Sequence, residues 1–301
     1  MSNTIYDALS VLFDNSLIAD VKDFIASVMN GLISVFTDTN ATQYFTMFTA
    51  IAGSLMIIFF FIDITDSASK DMITIERLVL AFIKLLIGFS IMIFLPDLLK
   101  GLFTIVNEVY NMLCELNNSH IDFGVKFWGF DSMPSAEWVQ ENVTFSGMNG
   151  SFSKVLKANL SAVVIGLVVT IVGMAARCAC YFIAVSNAIT LITRAIFSPI
   201  AVAQCFEDGQ KSNAIRYIKK FVADGLTFAI IVGILYAGSL LQGNIAASIL
   251  STAGIREING TTAMELLSNF SILCSVLVIN IAVIGAALKA NSIAQDIIGA
   301  H

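Results

Sequence analysis

Long apolar runs separated by polar connections dominate the 301 residues of this chain. A hydrocarbon core about 30 Å thick takes roughly 20 helical residues to cross. Residues 44–62, ending in MIIFFFID, predict a first span, and residues 78–96, stopping at LPD, a second; the polar connection 63–77 lies between them. From Asn159 to Cys205 the run is too long for one bilayer crossing: as one helix it would measure about 70 Å. Two spans would need turn chemistry midway, yet the middle reads GMAARCACYF, without Pro, Asn or Asp and with Gly173 alone. One long helix over 158–197 is therefore expected, with two spans as the alternative. Its end is placed at Ser198, because the residue before Pro199 is pushed out of helical geometry. Residues 221–241 and 265–288 predict the last two spans. The reading is an all-α, polytopic transmembrane bundle of about five spans.

The remaining segments have a different periodicity. In residues 18–36, Val21, Phe24, Ile25, Val28, Leu32 and Val35 recur at helical spacing, with Asp20, Asp23, Ser27 and Asn30 on the other side. That predicts an amphipathic helix too short in its apolar part to span, lying on the bilayer surface or on a neighbouring subunit. Residues 97–157 form a long hydrophilic section with Trp128 and Trp138, containing LLKGLFTIVNEVYNMLCEL as a further amphipathic helix and then a loop. The chain thus divides into an N-terminal amphipathic region (1–43), two spans (44–96), a long extracytoplasmic loop (97–157) and a C-terminal membrane domain (158–301).

Composition agrees with a membrane solvent: 57% of residues are hydrophobic and 13% charged, against about 25% charged in soluble domains. The net charge of −6 argues against tight direct binding of nucleic acid, which needs a concentrated basic surface. The densest basic connection holds Lys211, Arg216, Lys219 and Lys220 and is assigned to the cytoplasm. Five spans then place 63–77 and the C-terminus inside, and the N-terminus and 97–157 outside; six spans invert the N-terminal half. Cys178, Cys180, Cys205 and Cys274 sit in apolar sequence, where thiols act as small hydrophobes. Cys178 and Cys180 would point to different helix faces, so no metal site and no cofactor is expected.

Small residues recur every four positions: Ala176, Cys180, Ala184 and Ala188 on the long helix, Gly225, Ala229, Gly233 and Ala237 on the fourth span, and Ala282, Ala286 and Ala290 on the last. Such ladders let helices approach closely, either within one subunit or against an identical one. Lys84, early in the second span, either snorkels to the interface or faces a polar interior. Arg177 lies well inside the long helix without a local acidic partner, which marks either a functional charge or an interfacial position. Asn187, Thr190 and Arg194 share one face, suited to a polar lining or a headgroup-level contact. Asn280 is isolated in the last span and suits a bond between helices. Acidic residues cluster in the connections rather than pairing inside spans. Neither His-Glu-x-x-His, Gly-x-Ser-x-Gly nor a Walker motif occurs, and no enzymatic chemistry is expected.

The stretch RAIFSPIAVA at 194–203, IRYIKKFVADGLTFAIIVGIL at 215–235 and the ending ANSIAQDIIGA at 290–300 resemble the TrbL-like family. This is the polytopic inner-membrane component of type IV secretion and conjugation machines, the sixth VirB component. The resemblance implies an outward N-terminus, about five spans, a large extracytoplasmic region between the second and third, and no enzymatic activity. It also implies a bacterial plasma-membrane protein, several copies of which assemble at a translocation channel. The partners implied are membrane lipid, an inner-membrane scaffold, cytoplasmic ATPases and a coupling protein. A stand-alone transporter or pore-forming protein is the alternative reading.

Overall fold

A computed structural model of the chain describes residues 16–37, 39–69, 74–120, 152–204, 213–252, 254 and 270–300. Among these residues all regular structure is helical: α1 (Ser16–Thr37), α2 (Thr39–Ser69), α3 (Ile75–His120), α4 (Phe152–Ala203), α5 (Asn213–Thr252), α6 (Phe270–Leu288) and α7 (Ala290–Ile298). Four stretches are long and apolar enough to cross a membrane: Gln43–Asp66, Leu78–Glu115, Thr170–Ala203 and Ile215–Leu241. The bent pair α6 and α7 supplies a fifth if counted as one span. The chain is therefore a multi-pass helical protein with four or five spans. Residues 121–151, which hold most of the long loop, and 255–269 lie outside the described residues.

The absence of turn chemistry in GMAARCACYF has the expected result, since α4 passes through it unbroken over 52 residues. The two proline stops are corrected. α3 continues through Pro96 to His120, so no boundary falls between residues 96 and 97. A proline removes one backbone donor, and here apolar helix on both sides outweighs one lost bond. α4 likewise continues past Ser198 and Pro199 to Ala203. The ring nitrogen of Pro199 cannot serve the carbonyl four residues back, at Ala195, and the buried hydroxyl of Ser198 donates to that oxygen at 2.6 Å instead. The substitute bond keeps the carbonyl satisfied, so the helix does not end there. The basic connection is also shorter than expected. α5 begins at Asn213, which puts Arg216, Lys219 and Lys220 on its first two turns, where Lys and Arg are good helix formers. Lys211 lies outside the described residues.

Contacts divide the chain into two compact units. In the unit made of Met1–Phe24, Leu113–Ile183 and Ile231–Lys289, the start of α1 lies on α4 through stacked rings of Phe24 and Tyr181, 4.1 Å between centroids. In the unit made of Ile25–Met112, Ala184–Ile230 and Ala290–His301, Ala52, Met56 and Phe60 of α2 pack with Ala81 and Met92 of α3 and Ala203 of α4. Phe36 of α1 meets Phe103 of α3 at 5.5 Å and Phe221 of α5 at 6.5 Å. The outer faces of α2 and α3 leave Phe61, Ile62, Ile93 and Phe94 more than half exposed, as a lipid-facing surface requires. On α1, Val21, Ile25, Met29 and Leu32 are buried and Asp23, Ser27 and Asn30 exposed, which gives the helix one apolar, protein-facing stripe.

A candidate polar site inside the bundle

Heptad spacing aligns the site, because residues seven apart lie two turns along one helix face. Asn187 and Arg194 have this spacing on α4, Tyr217 and Asp224 on α5, and Asn291 and Gln295 sit one turn apart on α7. All six belong to one unit. Asp224 is fully buried, and its Oδ2 lies 2.7 Å from Nη1 of Arg194. A buried ionised carboxylate would be prohibitive alone and is tolerated when paired and hydrogen-bonded. The remaining polar atoms supply those bonds. Asn187 Nδ2 donates to the backbone oxygen of Asp224. Asn291 Nδ2 donates to Asn187 Oδ1 at 3.3 Å and to Asp224 Oδ1 at 3.4 Å. Gln295 Nε2 donates to Asn291 Oδ1 at 2.8 Å, and Tyr217 donates its hydroxyl proton to the backbone oxygen of Arg194 at 2.8 Å.

α7 can deliver Asn291 because the chain turns sharply before it, by 50° at Lys289. Its inner face is made of Ala290 and Ala294, both fully buried, so the short helix seats closely. Gly299, at φ +63°, ends it with the paired bonds Gly299 N to Asp296 O and Ala300 N to Gln295 O, at 3.2 and 2.9 Å. That is a Schellman termination, which favours glycine at the left-handed position. The bend also interrupts the ladder Ala282, Ala286, Ala290. Ala282 is exposed and Ala286 half-buried, while the buried residues of α6 are Ile279, Val283 and Ala287, one position further round.

The other singled-out residues distribute as follows. Arg177 belongs to the other unit and has an acidic partner that the local sequence does not show: its Nε lies 3.3 Å from Oδ2 of Asp20, with side chains 30% and 44% exposed. Arg194 is not a solitary headgroup-level charge but half of a buried pair. Ala176, Cys180, Ala184 and Ala188 are all buried. On α5, Gly225 and Ala229 are buried, Gly233 is half-buried and Ala237 exposed. A methyl at Gly225 would sit 3.0 Å from Val106 of α3, whereas one at Gly233 would meet nothing within 4 Å. Lys84 is exposed and Asn280 half-buried. Cys178 is exposed and Cys180 buried, consistent with the opposed faces of a Cys-x-Cys pair.

Asp224, Tyr217, Asn291 and Gln295 escape a reading based on spans, and the expectation that acids avoid spans fails at Asp224. The signal was present: Asp224 is the sole acid in residues 213–252, and the Tyr217–Asp224 spacing repeats the Asn187–Arg194 spacing. Among the described residues, no group of three or more His, Cys, Asp or Glu could hold a metal ion. Comparisons with family models, curated proteins and solved structures give no match.

Proposed function

We propose that this chain is a structural channel and assembly component of a type IV secretion-like conjugation apparatus in the bacterial plasma membrane. One observation carries the reading. The three separate segments that resemble the TrbL-like family, 194–203, 215–235 and 290–300, supply Arg194, Tyr217, Asp224, Asn291 and Gln295, which meet in a single buried network. Segments that resemble a family for unrelated reasons have no cause to converge on one site. The network fixes helices relative to one another and offers no reactive group, as a scaffold role requires. The chain would work in several copies, beside a membrane scaffold, cytoplasmic ATPases and a coupling protein, without gripping nucleic acid itself and without a cofactor. The open space beside Gly233 suits a contact with a second copy, so Gly233→Trp should abolish a cross-linked oligomer ladder, and an unchanged ladder would remove that contact from the proposal.

A stand-alone transporter remains the second reading, favoured by the intramembrane Arg194–Asp224 pair, because buried charges often mark ion paths. Two measurements separate the readings. Deleting the gene should abolish plasmid transfer while leaving solute uptake intact, and the purified chain in liposomes should be electrically and osmotically silent. Robust solute flux from the chain alone would sink the channel-component reading.

A further inference from the structure

Arg216, Lys219 and Lys220 occupy the first two turns of α5. That is the wrong end for cations, because the N-terminus of a helix carries the positive end of its dipole. Helix stability therefore does not account for them. Nor does the carboxylate of Asp224, which Arg194 already pairs at 2.7 Å. Arg216 and Lys219 are exposed, and Lys220 is half-buried. Lys219 Nζ reaches the backbone oxygen of Gly299 at 3.4 Å, so the basic turns lie against the end of α7. The one acid on α7, Asp296, is exposed, which leaves the combined surface positive.

Apolar side chains surround these charges. Ile215 is 46% exposed on α5, and Ile293 and Ile297 are 37% and 66% exposed on α7. Cations beside uncovered isoleucines, on a short amphipathic helix, form the pattern of a segment seated between headgroups and acyl chains. Tyr217, anchored to Arg194, holds the turn that carries Arg216 and Lys219. We propose that the first turns of α5 and the outer face of α7 bind an anionic phospholipid. Its phosphate lies on Arg216 and Lys219, and its acyl chains run along Ile215, Ile293 and Ile297. The inference rests on the chain being a membrane protein and is independent of the secretion role.

A basic segment that only sets topology needs positive charge and no particular lipid, whereas a site discriminates between lipids. The full chain, purified in mixed micelles of phosphatidylcholine and phosphatidylglycerol, is examined by native mass spectrometry for retained lipid. Phosphatidylglycerol should be retained in preference. A basic residue near an anionic surface contributes about five-fold, so Arg216→Gln with Lys219→Gln should cut the preference roughly 30-fold. Lys219→Gln alone should cut it about five-fold and serves if the double variant does not fold; Lys219→Arg should retain it. Ile297→Ser should weaken phosphatidylglycerol retention, while excess inorganic phosphate should not displace the lipid. Equal retention of the two lipids, or an undiminished preference in Lys219→Gln, would overturn the proposal. Full displacement by inorganic phosphate would do the same, by assigning the site to a free anion.

Discussion

Helix α4 carries two arginines in its span, and each has an aspartate, yet the two pairs differ in nearly every physical respect. Arg177 and Asp20 stand 3.3 Å apart and remain 30% and 44% exposed. Arg194 and Asp224 stand 2.7 Å apart, and the carboxylate is completely covered. The covered pair is embedded in amide and phenol groups from α4, α5 and α7, as the desolvation of two charges demands. An open pair can be lost cheaply, because surrounding polar molecules replace the missing partner. A covered pair cannot, because nothing is there to replace it. The same residue types thus serve as a clip at one end of the helix and as a structural knot at the other.

The sharpest way to break this contrast is to remove one half of the knot. Asp224→Ala should cost about 3–5 kcal/mol, since it strands Arg194, and should be visible as loss of the folded fraction in a detergent-solubilised thermal melt. Replacing both partners, with Arg194→Leu and Asp224→Leu together, should recover most of that loss, because two apolar groups need no desolvation. A double variant as unstable as the single one would show that the pair organises more than its own charge. Asn291→Leu leaves the ion pair but deletes an amide between two acceptors, and about 1–3 kcal/mol is expected. The accompanying sign should be faster proteolysis within α7. Ser198→Ala should cost about 1 kcal/mol by leaving the Ala195 carbonyl unserved beside Pro199. Smallest is Asp20→Asn, at about 0.2–1 kcal/mol, with a melting midpoint close to the parent. A loss from Asp20→Asn equal to that from Asp224→Ala would erase the distinction.

Span-level architecture was legible because hydropathy over about 20 residues is a strong, local signal. The unbroken middle of α4 could also be read, since turns need particular residues and GMAARCACYF has none of them. The prolines misled for an instructive reason. The rule that a proline ends a helix concerns its own missing donor, whereas the continuation of α4 depends on a neighbour, Ser198, that serves the abandoned carbonyl. Arg177 and Arg194 were recognisable as anomalies, but their partners were not. Asp20 and Asp224 are far from them in sequence, and only packing brings them near. Asp224 was overlooked because the basic residues before it drew that region into a connection. Asn291 was overlooked because the bend at Lys289 cannot be inferred from the small residues that run through it.

The order of the chain adds a constraint in time. Arg194 leaves the ribosome 30 residues before Asp224 (224 − 194 = 30), a delay of about 2–6 s at roughly 5–20 residues per second. Asn291 follows 67 residues after Asp224 (291 − 224 = 67). During those seconds α4 carries a charge whose counter-charge has not yet been synthesised, so Arg194 must wait in water or among headgroups before moving inward. The knot is therefore the last thing the nascent protein ties, and it is closed by the final helix described, α7.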